Sequence, residues 1–194
     1  MSISVDGYVA GPNQSRENPV GVGGLALHEW HRHAGEPGHE ADVRLRDELT
    51  CAAAYVMGRN MFGPIRGEWE GDWRGWWGEE PPYHAPVFVL THYPHGPIEM
   101  QGGTTFHFVT GGFAAALEQA RAAAGDGDVD IAGGASAVQQ ALTANAIDEL
   151  VLDIVPVILG AGKRLFARVP DPGLEPVEVI HSRYATHIRY RLGR

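Results

Sequence analysis

An α/β sheet, largely parallel, with helices on both faces and antiparallel strands at one edge, is the architecture this sequence predicts. Three observations lead to it. Apolar strand-like runs alternate with helix-forming runs through the middle of the chain. Two of those runs, "YVMGRN" and "DIAGGASAVQQAL", reach glycine with a helix behind it. The chain then finishes in β-structure, "VEVIHSRYATHIRYRL". Such alternation implies parallel strands joined by crossover helices.

The elements follow in order. Ile3 and Val5 alternate with Ser2 and Ser4 as a first strand, broken by Asp6-Gly7 before Tyr8-Val9-Ala10. Residues 11 to 40 are rich in Gly, Pro, Asn and His and read as a long loop, a kind of segment that is often functional. Asp42 to Leu49 reads as a helix, with Val43, Leu45 and Leu49 set among charges. Ala53 to Met57 is an apolar strand, and Asn60 to Ile65 a helical turn stopped by Gly63-Pro64. After an irregular Trp-rich segment, "VFVLTH" and "TTFHFVT" read as strands. Phe113 to Ala124 is built of strong helix formers and ends at Gly125. "DVDIAG" is a strand and "SAVQQALTAN" a helix. Ile147 to Leu159 reads as one long strand whose Pro156 implies an edge position or a bulge. The last two strands join near Ser182-Arg183 as an antiparallel hairpin.

The chain has 194 residues, 44% of them hydrophobic, enough for one sizeable domain, and no linker divides it; a single domain over 1–194 is expected. The formal charge is −9. Nucleic acid and anionic membranes require a basic face, so neither is expected as a partner. No run of 18 apolar residues is present, and "MSISVDGYVAG" lacks the form of a signal peptide. Cys51 is the only cysteine and reads as a small core residue. A cytoplasmic protein is expected.

The glycine junctions carry the functional signal. In open α/β sheets, ligands bind at the carboxyl ends of strands. A helix starting there presents unpaired N–H groups to a phosphate, and glycine lets the backbone come close. "IAGGAS" has this form: Gly133 and Gly134, then Ala135 and Ser136 opening a helix that Ser136 can cap. The competing reading is glycine used for turn geometry alone. At "VMGRN", Gly58 ends a strand and Arg59 offers a planar fork for phosphate, or else a surface ion pair; Asn60 follows. At the end of "VFVLTH", Thr91 can donate through its hydroxyl and His92 can meet a phosphate or a base. Taken together, three strand ends make a seat for a dinucleotide with an extra phosphate. The G-x-G-x-x-G and P-loop patterns are both absent.

In order along the chain, "SISVDGYVAGP", "YVMGRNMF", "VFVLTH", "DIAGGASAVQQAL" and "IDELVLDIVPVILGAGKRLF" resemble the dihydrofolate-reductase-like superfamily, in the branch of the reductase domain of the riboflavin-biosynthesis deaminase/reductase. The resemblance spans nearly the whole chain. It implies a mixed, mostly parallel sheet, a homodimer, and NADPH as cofactor. It places Gly58, Arg59 and Asn60 near the adenosine phosphate, Thr91 and His92 beside the adenosine ribose, and Gly133, Gly134, Ala135 and Ser136 at the diphosphate. Val9 and Ala10 fall near the nicotinamide. Ala132 stands where this turn usually has a third glycine.

Hydride transfer needs positioning and a nearby proton. A carboxylate in an apolar pocket, its pKa raised, can deliver one. Asp6 and Asp42 are the candidate catalytic carboxylates. The resemblance puts Asp6 in the substrate pocket and Asp42 in the place of the folate reductases' acidic residue; the alternatives are a turn residue and a helix N-terminal residue favoured by the dipole. The resemblance sets the segment of Trp30 beside the substrate cleft, so that Trp30 lines the cleft or anchors its loop. Trp69, Trp73, Trp76 and Trp77 form either a cleft wall or a packing cluster. His28, His31, His33 and His39 lie in a Gly/Pro-rich segment unsuited to a fixed metal geometry, and no metal is expected. Gly160, Gly162, Lys163 and Arg164 read as a Gly-rich turn that invites a ligand, which the resemblance puts near the pocket and the subunit contact, or as a sheet-edge loop with solvated cations.

The expected function is NADPH-dependent reduction of a small pterin- or pyrimidine-like heterocycle. The alternatives are 5-amino-6-(5-phosphoribosylamino)uracil reduction in riboflavin biosynthesis and NADP binding without catalysis. No zinc-deaminase signature is present.

Overall fold

The structure is a computed structural model and describes residues 1–33, 36–37, 39–64 and 66–193. The chain runs through β1 (Ser2–Ser4), β2 (Tyr8–Ala10), α1 (Glu29–His33), α2 (Glu40–Glu48), β3 (Ala54–Gly58), α3 (Arg59–Phe62), β4 (Pro86–Leu90), β5 (Ile98–Glu99) and β6 (Thr105–Val109). It continues through α4 (Gly112–Ala124), β7 (Val129–Gly133), α5 (Ala135–Thr143), β8 (Glu149–Val155), β9 (Lys163–Arg164), β10 (Leu174–His181) and β11 (Thr186–Leu192). Two compact units result: Met1–Asp47 with Val138–Arg194, and Glu48–Ala137. Among the described residues, no helix is long and apolar enough to cross a membrane.

The Glu48–Ala137 unit is a five-stranded sheet in the order β5-β6-β4-β3-β7. β6, β4, β3 and β7 run parallel, and only the short edge strand β5 is antiparallel. Tyr55, Met57, Phe62, Tyr83, Val87, Val89 and Phe106 form a buried core, against which Trp69, Trp73 and Trp77 pack. The Trp-rich segment is therefore largely a packing cluster. Its fit depends on Gly63, because a Cβ there would stand 2.4 Å from Trp73 Nε1. Helix α4 lies on β3 and β4. It buries Phe113, Ala116, Leu117 and Ala120, spaced as one face of a helix. Each large side chain so buried stabilises by roughly 1.5–3 kcal/mol. Cys51, expected in the core, is exposed: it lies between α2 and β3, outside the apolar run that begins at Ala54.

The other unit carries a four-stranded sheet, β1-β8-β11-β10, and the small antiparallel pair β2-β9. β1 is parallel to β8, and the C-terminal hairpin β10-β11 is antiparallel as expected. Three expectations are corrected. Strand β8 ends at Val155, so Pro156 lies outside it, and β8 is an interior strand. Proline cannot donate to a ladder, and here it stops the strand instead of marking an edge. Strand β1 does not alternate: Ser2, Ile3 and Ser4 are all buried, whereas Val5 is 63% exposed. The serines tolerate burial because their hydroxyls are bonded, Ser2 accepting from Trp30 Nε1 and Ser4 donating to Asp6. Residues 11–40 are not all loop, since a 3-10 turn at Gly24–His28 runs into α1. Within the His-rich stretch, residues 34, 35 and 38 lie outside the described residues, as does Ile65 of the expected 60–65 turn.

Candidate functional site

In the Glu48–Ala137 unit, β4, β3 and β7 are parallel neighbours, so their carboxyl ends fall at one edge. The register pairs Gly58 with Leu90 and Met57 with Gly133. Arg59, Thr91 and Gly134 consequently emerge side by side. A Cβ on Gly58 would lie 3.6 Å from Gly134 N and 3.8 Å from Gly133 O, so the two glycine junctions touch. Gly133 has φ +130°, a region that disfavours any residue with a side chain. A Cβ on Gly134 would meet nothing within 4 Å, leaving open space in front of the α5 start. The leading amides of a helix have no acceptor within it. The peptide between Gly133 and Gly134 is cis. Ala132, where the family turn usually has glycine, is packed against the unit's core.

Arg59 is held on three sides. Its Nη1 donates to Thr91 Oγ1 at 2.8 Å, its Nη2 donates to Gly67 O at 3.0 Å, and its guanidinium carbon sits 3.4 Å from the centroid of the Trp69 ring. Burial, together with the neighbouring Arg66 cation, pulls its pKa down from the ordinary arginine value. Thr91, expected to offer a hydroxyl to the ligand, spends it within the protein: it accepts from Arg59 and from Tyr93 N, and donates to Tyr93 O. Asn60 and His92 are exposed beside it.

The residues expected to serve substrate and chemistry, with Val9 and Ala10, lie in the other unit. Val9 and Ala10 belong to β2, paired with β9. A Cβ on Gly162 would stand 2.0 Å from Ala10 O, so only glycine allows that approach. Arg164 lies over the Tyr8 ring at 4.6 Å, and Lys163 beside it is exposed.

Asp6 accepts from Ser4 Oγ at 2.6 Å, Leu159 N at 3.1 Å and Gly160 N at 2.7 Å. The Ser4 hydroxyl first, then the Gly160 and Leu159 amides, hold its pKa at about 2. Asp42 is completely buried, with His39 Nδ1 at 2.8 Å and His187 Nε2 at 2.9 Å. Burial alone would raise its pKa, but the bonds from His39, Ser182 and His187 outweigh it and the shift is downward. The expectation of a carboxylate with raised pKa is thus corrected for both residues: each is surrounded by donors that favour the charged form.

Trp30 is corrected as well. It is fully buried, bonded to Ser2, and edge-on to His187 at 4.9 Å, so it anchors its segment and lines no cleft. His187 was missed in the sequence. It bridges Asp42 and Asp153, with its Nδ1 2.8 Å from Asp153. A lone His in an alternating strand carries no signal of its own; only the β8–β11 register sets it opposite Asp153. Among the described residues, no group of three or more His, Cys, Asp or Glu is placed to hold a metal.

The donor set at the strand ends, an arginine fork beside a glycine turn and a helix start, suits a phosphorylated nucleotide. The family model described as the RibD C-terminal domain matches residues 1–186. No curated protein matches the chain by sequence. Three of the solved structures that share its fold serve for comparison. One is described as a riboflavin biosynthesis protein from Shewanella sp. PV-4, with 24% identity, TM-score 0.61, and 99% of this chain and 96% of that chain covered. The second is a dihydrofolate reductase from Enterococcus faecalis complexed with NADP(H), with 18% identity, TM-score 0.53, and 80% and 83% covered. The third is a diaminohydroxyphosphoribosylaminopyrimidine deaminase/5-amino-6-(5-phosphoribosylamino)uracil reductase from Thermotoga maritima, with 14% identity, TM-score 0.56, and 98% of this chain but 54% of that chain covered. The mixed α/β, dihydrofolate-reductase-like fold is as the sequence predicted.

Proposed function

The chain belongs to the family of RibD C-terminal domains, and from that premise we propose that it is an NADPH-dependent reductase of a small pyrimidine- or pterin-like heterocycle. The observation that carries the reading is the meeting of Gly58-Arg59 with Gly133-Gly134 at one sheet edge. Arg59 takes the adenosine phosphate through its uncommitted N–H groups. The amides from Gly133 to Ser136 take the diphosphate, with Asn60 and His92 at the adenosine end and Val9-Ala10 assigned to the nicotinamide by the family's pattern. Bound NADPH supplies a hydride. Asp6 keeps its charge at neutral pH and serves as an acceptor for a substrate N–H: a carboxylate accepts at about four positions, and Ser4, Leu159 and Gly160 use part of that capacity. The proton that accompanies the hydride comes from solvent, because neither Asp6 nor Asp42 holds one. Within this class, 5-amino-6-(5-phosphoribosylamino)uracil reduction is the narrower reading, favoured by the family match.

Titration with NADPH and with NADH, followed by quenching of Trp fluorescence, tests the cofactor assignment. Arg59→Ala is expected to weaken NADPH about tenfold or more, the worth of a charge-assisted hydrogen bond, and to leave NADH unchanged. Binding of neither nucleotide would overturn the reading. NADPH oxidation assayed with dihydrofolate and with the ribosylaminopyrimidinone then separates the substrates.

A further inference from the structure

The four residues Arg59, Thr91, Tyr93 and Trp69 form a closed circuit. Arg59 Nη1 donates to Thr91 Oγ1 at 2.8 Å; Thr91 Oγ1 donates to Tyr93 O at 3.2 Å. Trp69 Nε1 donates to the same Tyr93 O at 3.0 Å, and the Trp69 ring returns to cover the Arg59 guanidinium at 3.4 Å. The ring is itself fixed from its other sides, edge-to-face with Phe108 at 4.7 Å, Phe62 at 6.0 Å and His95 at 4.8 Å. The residue two before it, Gly67, supplies the carbonyl that takes Arg59 Nη2. One irregular segment therefore provides both the stacking face and the in-plane acceptor for the arginine.

From this circuit we infer that Trp69 is a positioning residue: it fixes the plane of the Arg59 fork and so sets the preference for a nucleotide carrying a 2′-phosphate over one without it. The inference rests on the NADPH reading above. A free arginine side chain samples many rotamers and loses them when it grips an anion. Here Trp69 holds one face and Thr91 and Gly67 hold two N–H groups, so the remaining donors of the five are presented in a single orientation. An aromatic face also contributes where an aliphatic one does not, because its quadrupole attracts the cation. Trp69 touches no part of the phosphate in this scheme and acts only through Arg59.

The test compares 2′,5′-ADP with 5′-ADP by calorimetry, using the intact protein and the variants Arg59→Ala, Trp69→Leu and Trp69→Phe. The wild type is expected to prefer 2′,5′-ADP, and Arg59→Ala to abolish the preference. Trp69→Leu is expected to lower the preference about tenfold, and Trp69→Phe, a weaker cation–π partner, only about two- to fivefold, with 5′-ADP affinity little changed in both. A merely structural role would weaken both nucleotides alike. Wild-type preference retained in both Trp69 variants, while Arg59→Ala loses it, overturns the positioning role and leaves the cofactor reading intact. If the leucine variant does not fold, the phenylalanine variant decides by the same criterion. Absence of any preference in the wild type overturns the cofactor reading, and this inference with it.

Discussion

The guanidinium carbon of Arg59 lies 3.4 Å from the centroid of the Trp69 ring, with the two terminal nitrogens bonded to Thr91 and Gly67. A cation on the tip of a strand is thereby given one plane and one direction. That is the condition for a bidentate contact with a phosphate, which depends on the angle of the fork as much as on its charge.

The open side of the glycine turn yields a clean separation of folding from binding. A methyl on Gly134 meets no protein atom. Gly134→Ala is expected to keep its melting temperature within about 2 °C, since changes away from packed features stay within about 0.5 kcal/mol. On the proposed reading the same methyl faces the diphosphate. NADPH affinity, measured by calorimetry, is expected to drop about tenfold; an unchanged affinity would place the nucleotide elsewhere.

His187 links stability to pH. Burial alone would lower its pKa, but Asp153 and Asp42 outweigh that and the net shift is upward. A folded pKa above the unfolded one means the contribution is complete below the ordinary histidine value and fades as pH rises through the folded value. His187→Gln removes the cation between two buried carboxylates while Asp153 keeps the Met1 ammonium and Asp42 keeps His39, so the cost at mildly acidic pH is expected to stay below the roughly 3–5 kcal/mol of an uncompensated buried charge. Urea unfolding should show that gap between variant and wild type narrowing in alkaline buffer. A gap independent of pH would mean the imidazole is neutral.

The two candidate carboxylates make a kinetic prediction. Asp6 is held at about 2 by Ser4 and by the Gly160 and Leu159 amides, and Asp42 is also lowered. Neither titrates between pH 5 and 8, a window that lies wholly above the ordinary carboxylate range. The pH dependence of kcat/KM for NADPH oxidation should therefore keep its apparent pKa values in Asp6→Asn, even where the rate falls. Disappearance of a limb in that variant would restore Asp6 as the proton donor.

Asp130 stands on β7, opposite Tyr55 of β3, and burial raises its pKa. The sign is the reverse of a paired carboxylate: stability falls as pH rises through the folded value. Asp130→Asn should melt higher at neutral pH, by about 2–4 °C if the relief is about 1 kcal/mol. The gain should vanish as pH falls to the ordinary carboxylate range. A lower melting temperature at pH 7 would show an uncounted partner for the carboxylate.

Much of the candidate site was legible because strand ends and helix starts are written locally. Gly58-Arg59 and Gly133-Gly134 follow apolar runs, and parallel pairing alone brings such ends to one edge. Trp69 was legible only as one of several tryptophans, since nothing in "GEWEGDW" says which indole meets which cation. Thr91 was read as a ligand donor because its acceptor, the Tyr93 carbonyl two residues on, belongs to the main chain and leaves no mark in the sequence; Arg59 reaches the same hydroxyl as a donor only after β3 and β4 pair.

The alternation of strands and helices through the middle of the chain, the glycine junctions and the family were determined by the sequence by itself, because periodicity and backbone freedom are properties of neighbouring residues. The charge states of Asp6 and Asp42, the burial of Trp30, the exposure of Cys51 and the identity of Arg59's partners were decided only by the tertiary structure. Each of these depends on groups distant in the chain, and a side chain's pKa or exposure is set by whatever the fold places within a few ångströms of it.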